Sequence, residues 1–121
     1  MGKTVVIGAS NNPDRFSYRA VHKLKEHGID FVPVGIKKGE VGGKEILPIL
    51  DRPPVEDVDT VTLYMNPMRQ KDFYQYILSL KPRRIIFNPG TENPELESLA
   101  AGASIGIVEN CTLVMLESGI Y

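Results

Sequence analysis

The chain has a single cysteine, Cys111, among its 121 residues. One thiol excludes an intramolecular disulfide and any multi-cysteine metal site, and it fits a reducing compartment. Histidine is almost as scarce. His22 and His27 stand five positions apart with no carboxylate pattern to complete a metal site, and a structural role is expected of both. Charge of one sign is also missing: 14 Lys and Arg face 15 Asp and Glu, for a formal net charge of -1. That balance argues against a dedicated nucleic-acid binder, which needs a basic excess or stripe. Long apolar runs are absent. A secretory signal needs roughly 7 to 15 apolar residues and a membrane-spanning helix about 20, so a cytoplasmic protein with no membrane partner is expected. No repeat, low-complexity tract or linker divides the chain, and one domain over residues 1–121 is expected, large enough for one ordinary core.

What is present is an alternation of short apolar runs with amphipathic stretches. Thr4-Val5-Val6-Ile7 is β-branched and continuous, as in a strand buried on both faces. Residues 17–27 read as a helix with Ala20, Val21 and Leu24 on one face and Gly28 as its stop. Further strands are predicted over 29–36, 60–65, 84–87 and 104–108. Glu45-Ile46-Leu47 forms a short extended piece before Pro48. A helix from about Met68 to Leu80 follows the spacing of Phe73, Tyr76, Ile77 and Leu80. Another, capped by Thr91 or Asn93, runs to about Ala101, and a last turn or two covers 112–117. Strands that alternate with helices predict an α/β fold, a Rossmann-like doubly wound parallel sheet of five strands. A flavodoxin-like strand order competes with it, and pattern alone does not separate the two. An exposed edge strand would be compatible with a homodimer.

In such sheets ligands bind beyond the carboxyl ends of the strands. After the first strand comes Gly8-Ala9-Ser10-Asn11-Asn12-Pro13-Asp14-Arg15. Gly8 permits a tight turn, backbone amides at the next helix start can hold a phosphate, Ser10 and Ser17 offer hydroxyls, and Arg15 can pair with phosphate through two N–H groups. The dinucleotide fingerprint G-x-G-x-x-G is not there, because its second and third glycines are replaced by Ser10 and Pro13. The acid expected at the end of the second strand in NAD proteins is missing as well. Lys37-Lys38 stands there instead and suits an added phosphate on the adenosine ribose, a group that NADP and coenzyme A share. Met65-Asn66-Pro67, Asn88-Pro89-Gly90-Thr91 and Glu109-Asn110 fall at the same predicted edge. Glu56, Asp57 and Asp59 lie at the opposite end of the third strand and read as a solvated acidic loop. Tyr64, Tyr74 and Tyr76 are expected to pack, and Cys111 to be an inert thiol. No P-loop, Gly-x-Ser-x-Gly elbow, credible acid–base pair or metal spacing occurs, so no catalytic residue is assigned.

The stretch Val6-Ile7-Gly8-Ala9-Ser10-Asn11-Asn12-Pro13-Asp14-Arg15, continued by Ser17-Tyr18-Arg19, resembles the opening of the stand-alone CoA-binding domain proteins. These are similar to the N-terminal CoA-binding domain of the succinyl-CoA synthetase α subunit and of NDP-forming acyl-CoA synthetases. The resemblance continues through Val32-Pro33-Val34, the Gly39–Gly43 loop, Leu47-Pro48-Ile49-Leu50 and Val58-Asp59-Thr60-Val61, and more weakly to Cys111 and beyond. It implies a Rossmann-like fold that holds coenzyme A or acyl-CoA without catalysis. It further implies that Gly8, Ala9 and Ser10 lie against the pyrophosphate with Arg15, Ser17 and Arg19 near it, that Lys37 approaches the phosphorylated ribose, and that Met65, Asn66 and Pro67 border the adenine. Two segments depart from the usual pattern. Val-Asn-Pro-Lys becomes Val34-Gly35-Ile36-Lys37, and Trp-x-Gln-x-Gly becomes Phe87-Asn88-Pro89-Gly90-Thr91. Two other readings stand beside this one: an NADP-binding oxidoreductase, and the CoA-binding subunit of a split acyl-CoA synthetase that needs a ligase partner.

Overall fold

A computed structural model of the protein describes residues 2–121. Strand β1 (Lys3–Ile7) leads through a loop into helix α1 (Phe16–Glu26), then β2 (Phe31–Gly35). A small antiparallel hairpin of β3 (Glu40–Val41) and β4 (Lys44–Glu45) precedes β5 (Leu47–Pro48). β6 (Val58–Leu63), α2 (Pro67–Gln70), α3 (Tyr74–Ser79), β7 (Arg84–Phe87), α4 (Pro94–Gly102), β8 (Gly106–Glu109) and α5 (Thr112–Glu117) complete the order.

The main sheet has six strands rather than five, all parallel, in the order β5-β2-β1-β6-β7-β8. The five longer strands taken alone run 2-1-3-4-5, the flavodoxin order. Adding β5 outside β2 converts this to 3-2-1-4-5-6, the Rossmann order. The choice between the two therefore rests on a strand of two residues, paired through Val34–Leu47 and Gly35–Pro48. Pro48 has no N–H and is tolerated because it lies on the sheet edge. The predicted extended piece at 45–47 is thus split between β4 and β5.

Alternation along β1 builds both layers. Val5 and Ile7 join Val61, Leu63, Ile85 and Phe87 under Tyr76 and Ile77 of α3 and Leu96 and Ala100 of α4. Val6 faces the other way, with Phe31, Val21 and Leu24 of α1 and Leu116 of α5. Gln70, Thr60, Thr62 and Thr112 are the polar residues fully enclosed between these layers. α1 matches its predicted face, with Ala20, Val21 and Leu24 buried. α4 starts where Asn93 accepts hydrogen bonds from the Glu95 and Leu96 amides.

Several boundaries differ from expectation, among them the strand predicted over 29–36, which covers only Phe31–Gly35. The helix predicted over 68–80 is interrupted by a tighter 3-10 turn at Lys71–Phe73; the apolar spacing survives the break. β6 begins at Val58 rather than at residue 60, and β8 at Gly106 rather than 104. Ser104 takes a left-handed conformation (φ 62°) that ends α4 before the sheet can resume. The acidic loop is not wholly solvated either. Asp59 lies in β6 and grips the Arg83 guanidinium through both oxygens, at 2.9 and 3.2 Å. Arg83 and the adjoining hydroxyl of Thr60 hold the Asp59 carboxyl below the usual aspartate range, against a smaller desolvation effect.

Candidate functional site

The strand order reverses between β1 and β6, since β2 and β5 lie on one side of β1 and β6, β7 and β8 on the other. Beyond the carboxyl ends of these strands lies an open cleft of about 460 Å³. It is lined by residues following β1 (Gly8, Ala9, Ser10), the start of α1 (Arg15, Phe16, Ser17), and the end of β2 (Ile36, Lys37). The facing wall comes from the ends of β6 and β7 (Tyr64, Met65, Asn66, Arg69, Pro89, Gly90, Thr91). Eight of the ten residues singled out from sequence thus meet in one place: Gly8, Ala9, Ser10, Arg15, Ser17, Lys37, Met65 and Asn66. Arg19 and Pro67 do not line it. Arg19 is exposed on α1 with its guanidinium 5.5 Å from the Phe16 ring centre, beside a groove shared with Leu113 and Glu117. Pro67 is the first residue of α2, where its fixed φ and missing N–H suit a helix start.

The turn after β1 is compact for identifiable reasons. Gly8 has φ 94°, and a side chain there would come within 2.9 Å of the Tyr64 backbone. A Cβ on Gly35 would collide with the Ala9 carbonyl oxygen, so the turn leaves no room for a side chain there. The amides of Gly8 and Ala9 both donate to the Val34 carbonyl, at 2.9 and 3.0 Å. They are therefore spent on the fold. The amides of Ser10 and Asn11, and those of Phe16 and Ser17 in the first turn of α1, have no acceptor among the described residues. Ser10 Oγ accepts from the Asn12 amide at 3.0 Å, leaving its own proton free.

α1 begins without a side-chain cap at Arg15 and with no acid in its first turn. Its positive end is open to the cleft. Of the other helix starts on this edge, α2 and α4 are capped, Asn66 Oδ1 accepting from the Arg69 amide at 3.0 Å and Asn93 Oδ1 from the Glu95 and Leu96 amides, while the short α5 starts uncapped but outside the cleft lining. Three cations line the cleft, Arg15, Lys37 and Arg69, and none takes part in an ion pair among the described residues. No Asp, Glu, His or Cys is among the lining residues. Such a cavity presents amides and cations to an anion with nothing to repel it.

Arg69, Phe16, Ile36, Tyr64 and the Pro89–Thr91 segment as a wall are contributions the sequence reading missed or did not select. Phe16, Ile36 and Tyr64 adjoin chosen positions, so only their side-chain direction was lacking. Arg69 sat in what reads as an ordinary surface helix. Tyr64 reaches the cleft while its hydroxyl is buried without a partner. Burial pushes that phenol well above its ordinary value, so it stays protonated at neutral pH. Asn88 serves the fold: its Nδ2 donates to Thr62 Oγ1 (2.7 Å) and the Leu63 carbonyl (2.8 Å), and its Oδ1 accepts from the Thr112 amide (2.8 Å). Away from the cleft, His27 Nδ1 bonds the Lys23 carbonyl at 2.8 Å, and His22 lies beside Tyr18 with ring centres 4.5 Å apart. Cys111 is half-buried. Among the described residues no group of three or more His, Cys, Asp or Glu could hold a metal, and no helix is long and apolar enough to cross a membrane.

A parallel sheet in Rossmann order, with an unpaired cationic cleft at its reversal point and an open helix N-terminus beside it, defines the class of Rossmann-like α/β proteins with an anion-receptive switch-point cleft. Within that class the chain belongs to the CoA binding domain family, which its residues 2–117 match. A crystal structure of an uncharacterized protein is similar at 55% identity and a TM-score of 0.96, covering 100% of this chain and 98% of that one. A hypothetical protein from Pyrococcus horikoshii OT3 is similar at 26% identity and a TM-score of 0.85, covering 98% and 82%. A cell-free-expressed protein from Thermus thermophilus, at 24% identity, a TM-score of 0.82 and coverage of 99% and 91%, shares the fold. The family ties the chain to a CoA-related binding role.

Proposed function

We propose that the cleft binds coenzyme A or an acyl-CoA without transforming it. The observation that carries this reading is the pairing of three unopposed cations, Arg15, Lys37 and Arg69, with the uncapped start of α1 in one cleft. The pyrophosphate would rest on the amides of Ser10, Asn11, Phe16 and Ser17, flanked by Arg15 and the Ser10 and Ser17 hydroxyls. Gly8 and Ala9 would lie against it by shape, giving it room rather than hydrogen bonds. Lys37 would take the phosphate on the ribose, and Met65 and Asn66 would border the adenine. Arg19 and Pro67 would act at most from outside. Release unchanged fits a lining that offers hydroxyls but no general base to activate them.

Calorimetry with CoA, acetyl-CoA, dephospho-CoA and NADP tests the proposal. CoA should bind more tightly than dephospho-CoA by about tenfold, the scale of one charge-assisted contact, and Lys37→Ala should erase that difference. No binding of CoA at high micromolar concentration would refute the reading. Tighter binding of NADP than of CoA would replace it with the oxidoreductase reading. Recovery of a ligase-like chain with the protein from its source cell would make it a subunit of a split synthetase.

A further inference from the structure

Gln70 is completely buried, yet it is long, polar and one residue from the cleft. Its Nε2 donates to the Met65 carbonyl at 2.8 Å and to the Thr91 carbonyl at 2.9 Å. Its Oε1 accepts from Asn93 Nδ2 at 2.9 Å. Both amide protons are therefore committed, and the side chain has nothing left to offer a ligand. The two carbonyls belong to the loops after β6 and β7, the loops that make one wall of the cleft. Those loops come from different strands, and 21 residues separate Gln70 from Thr91. Asn93 carries the connection further: its Oδ1 caps α4 while its Nδ2 also reaches the Tyr74 hydroxyl at 2.8 Å.

We propose that Gln70 is a positioning residue that clamps the β6 and β7 loops at a fixed separation. It thereby sets the shape of the wall formed by Met65, Asn66, Arg69 and Thr91, without touching the ligand. The opposite wall is fixed independently, by the Gly8 and Ala9 amides on the Val34 carbonyl. The clamp thus governs how tightly the base-bearing end of a nucleotide is held, while the phosphate cradle keeps its form. Removing it strands two carbonyls that have lost their donor, and the loops must part or admit water to satisfy them. This inference rests on the cleft being the CoA site, and its test separates the two.

Gln70→Leu, similar in size and without polar atoms, is compared with the wild type in two ways. Without ligand, amide hydrogen exchange should speed up at least tenfold at Arg69 and Thr91 and stay within twofold at Gly8 and Ala9. In calorimetry, the dissociation constant for CoA should rise at least tenfold while that for inorganic pyrophosphate stays within twofold. Unchanged exchange at Arg69 and Thr91 overturns the clamp. Unchanged CoA affinity in the folded variant, or equal loss of CoA and pyrophosphate, overturns its role in shaping one wall. If Gln70→Leu does not fold, Asn93→Asp gives the reading. It keeps a carboxylate oxygen to cap α4 but withdraws the donor to Gln70 Oε1, and should show the same asymmetry at a reduced size of about threefold; an equal effect on both walls overturns the proposal. If wild-type protein binds neither CoA nor pyrophosphate, the CoA reading falls, and the clamp stands or falls on the exchange rates alone.

Discussion

At the scale of single residues, the cleft depends on two glycines, Gly8 and Gly35, and on where three cations, Arg15, Lys37 and Arg69, point. Gly35 faces the Ala9 carbonyl with no room for a methyl group. Gly35→Ala should lower the free energy of unfolding by about 1–3 kcal/mol, the range for overpacking a tight site, as measured by urea denaturation. Part of the strain should also appear as weaker CoA binding, because the same displacement moves Ala9 and Ser10. The arginines divide by direction. Arg15 faces the cleft without an ion-pair partner and Arg19 lies over the Phe16 ring. Arg15→Ala should weaken CoA binding about tenfold or more, as expected for a hydrogen-bonded charge, whereas Arg19→Ala should change it less than twofold. Equal effects in calorimetry would show that the cradle is wider than its lining. The motif made Arg15 and Arg19 look equivalent, because position in a sequence does not say on which side of a helix start a long side chain leaves.

At the scale of elements, α1 is charged at one end only. It has an apolar face that seats it on the sheet and basic residues, Lys23 and Lys25, in its last turn, but no acid in its first. The missing negative charge at the N-terminus is a small deficit in stability that a bound phosphate would make good. Phe16 is the first helical residue and is 63% exposed. Phe16→Asp should therefore stabilise the unliganded protein by about 0.3–1 kcal/mol and weaken CoA binding at least tenfold, with thermal unfolding and calorimetry moving in opposite directions. Both changing in the same sense would mean that the open terminus has no part in binding. α2 and α3 illustrate what periodicity misses. Phe73, Tyr76 and Ile77 still point inward across the break at Lys71–Phe73, so the pattern predicted burial correctly and continuity wrongly.

At the scale of the whole molecule, the starts of β2 and β6 carry ion pairs as well as packing. Arg83 holds the Asp59 carboxyl, and Lys44 the Asp30 carboxyl, below the ordinary aspartate value of 3.8, desolvation opposing both. A carboxyl whose pKa is lower in the folded than in the unfolded chain stabilises the fold above its unfolded value, and that contribution disappears as pH falls through its folded value. Glu109 has the reverse sign: hydrogen bonding and repulsion from Glu97 raise its pKa, so its ionisation at higher pH works against the fold. Asp59→Asn should make the loss of stability below pH 3.8 shallower, and Glu109→Gln should raise stability at neutral pH but not at acid pH. Urea denaturation across the pH range checks both signs.

The sequence by itself determined whatever depends on neighbours along the chain. The β-branched run of β1, the apolar face and Gly28 stop of α1, a cap for α4 at Thr91 or Asn93, and the collection of Gly8, Ser10, Arg15, Lys37 and Asn66 on loops at one sheet edge are all local patterns. They sufficed for an α/β fold and for most of the residues that line one cleft. Tertiary structure decided what depends on pairing across the chain. Two residues, Leu47 and Pro48, turned a flavodoxin order into a Rossmann order by adding to β2. The Val34 carbonyl took the Gly8 and Ala9 amides and left those of Ser10 and Asn11 open. Gln70 joined the loops after β6 and β7 through the Met65 and Thr91 carbonyls, and Arg69 turned into the cleft. The strand addition, the Val34 contacts and the Gln70 contacts follow from hydrogen bonds to distant partners, and such bonds leave no period in the sequence because their spacing is set by the path of the folded chain.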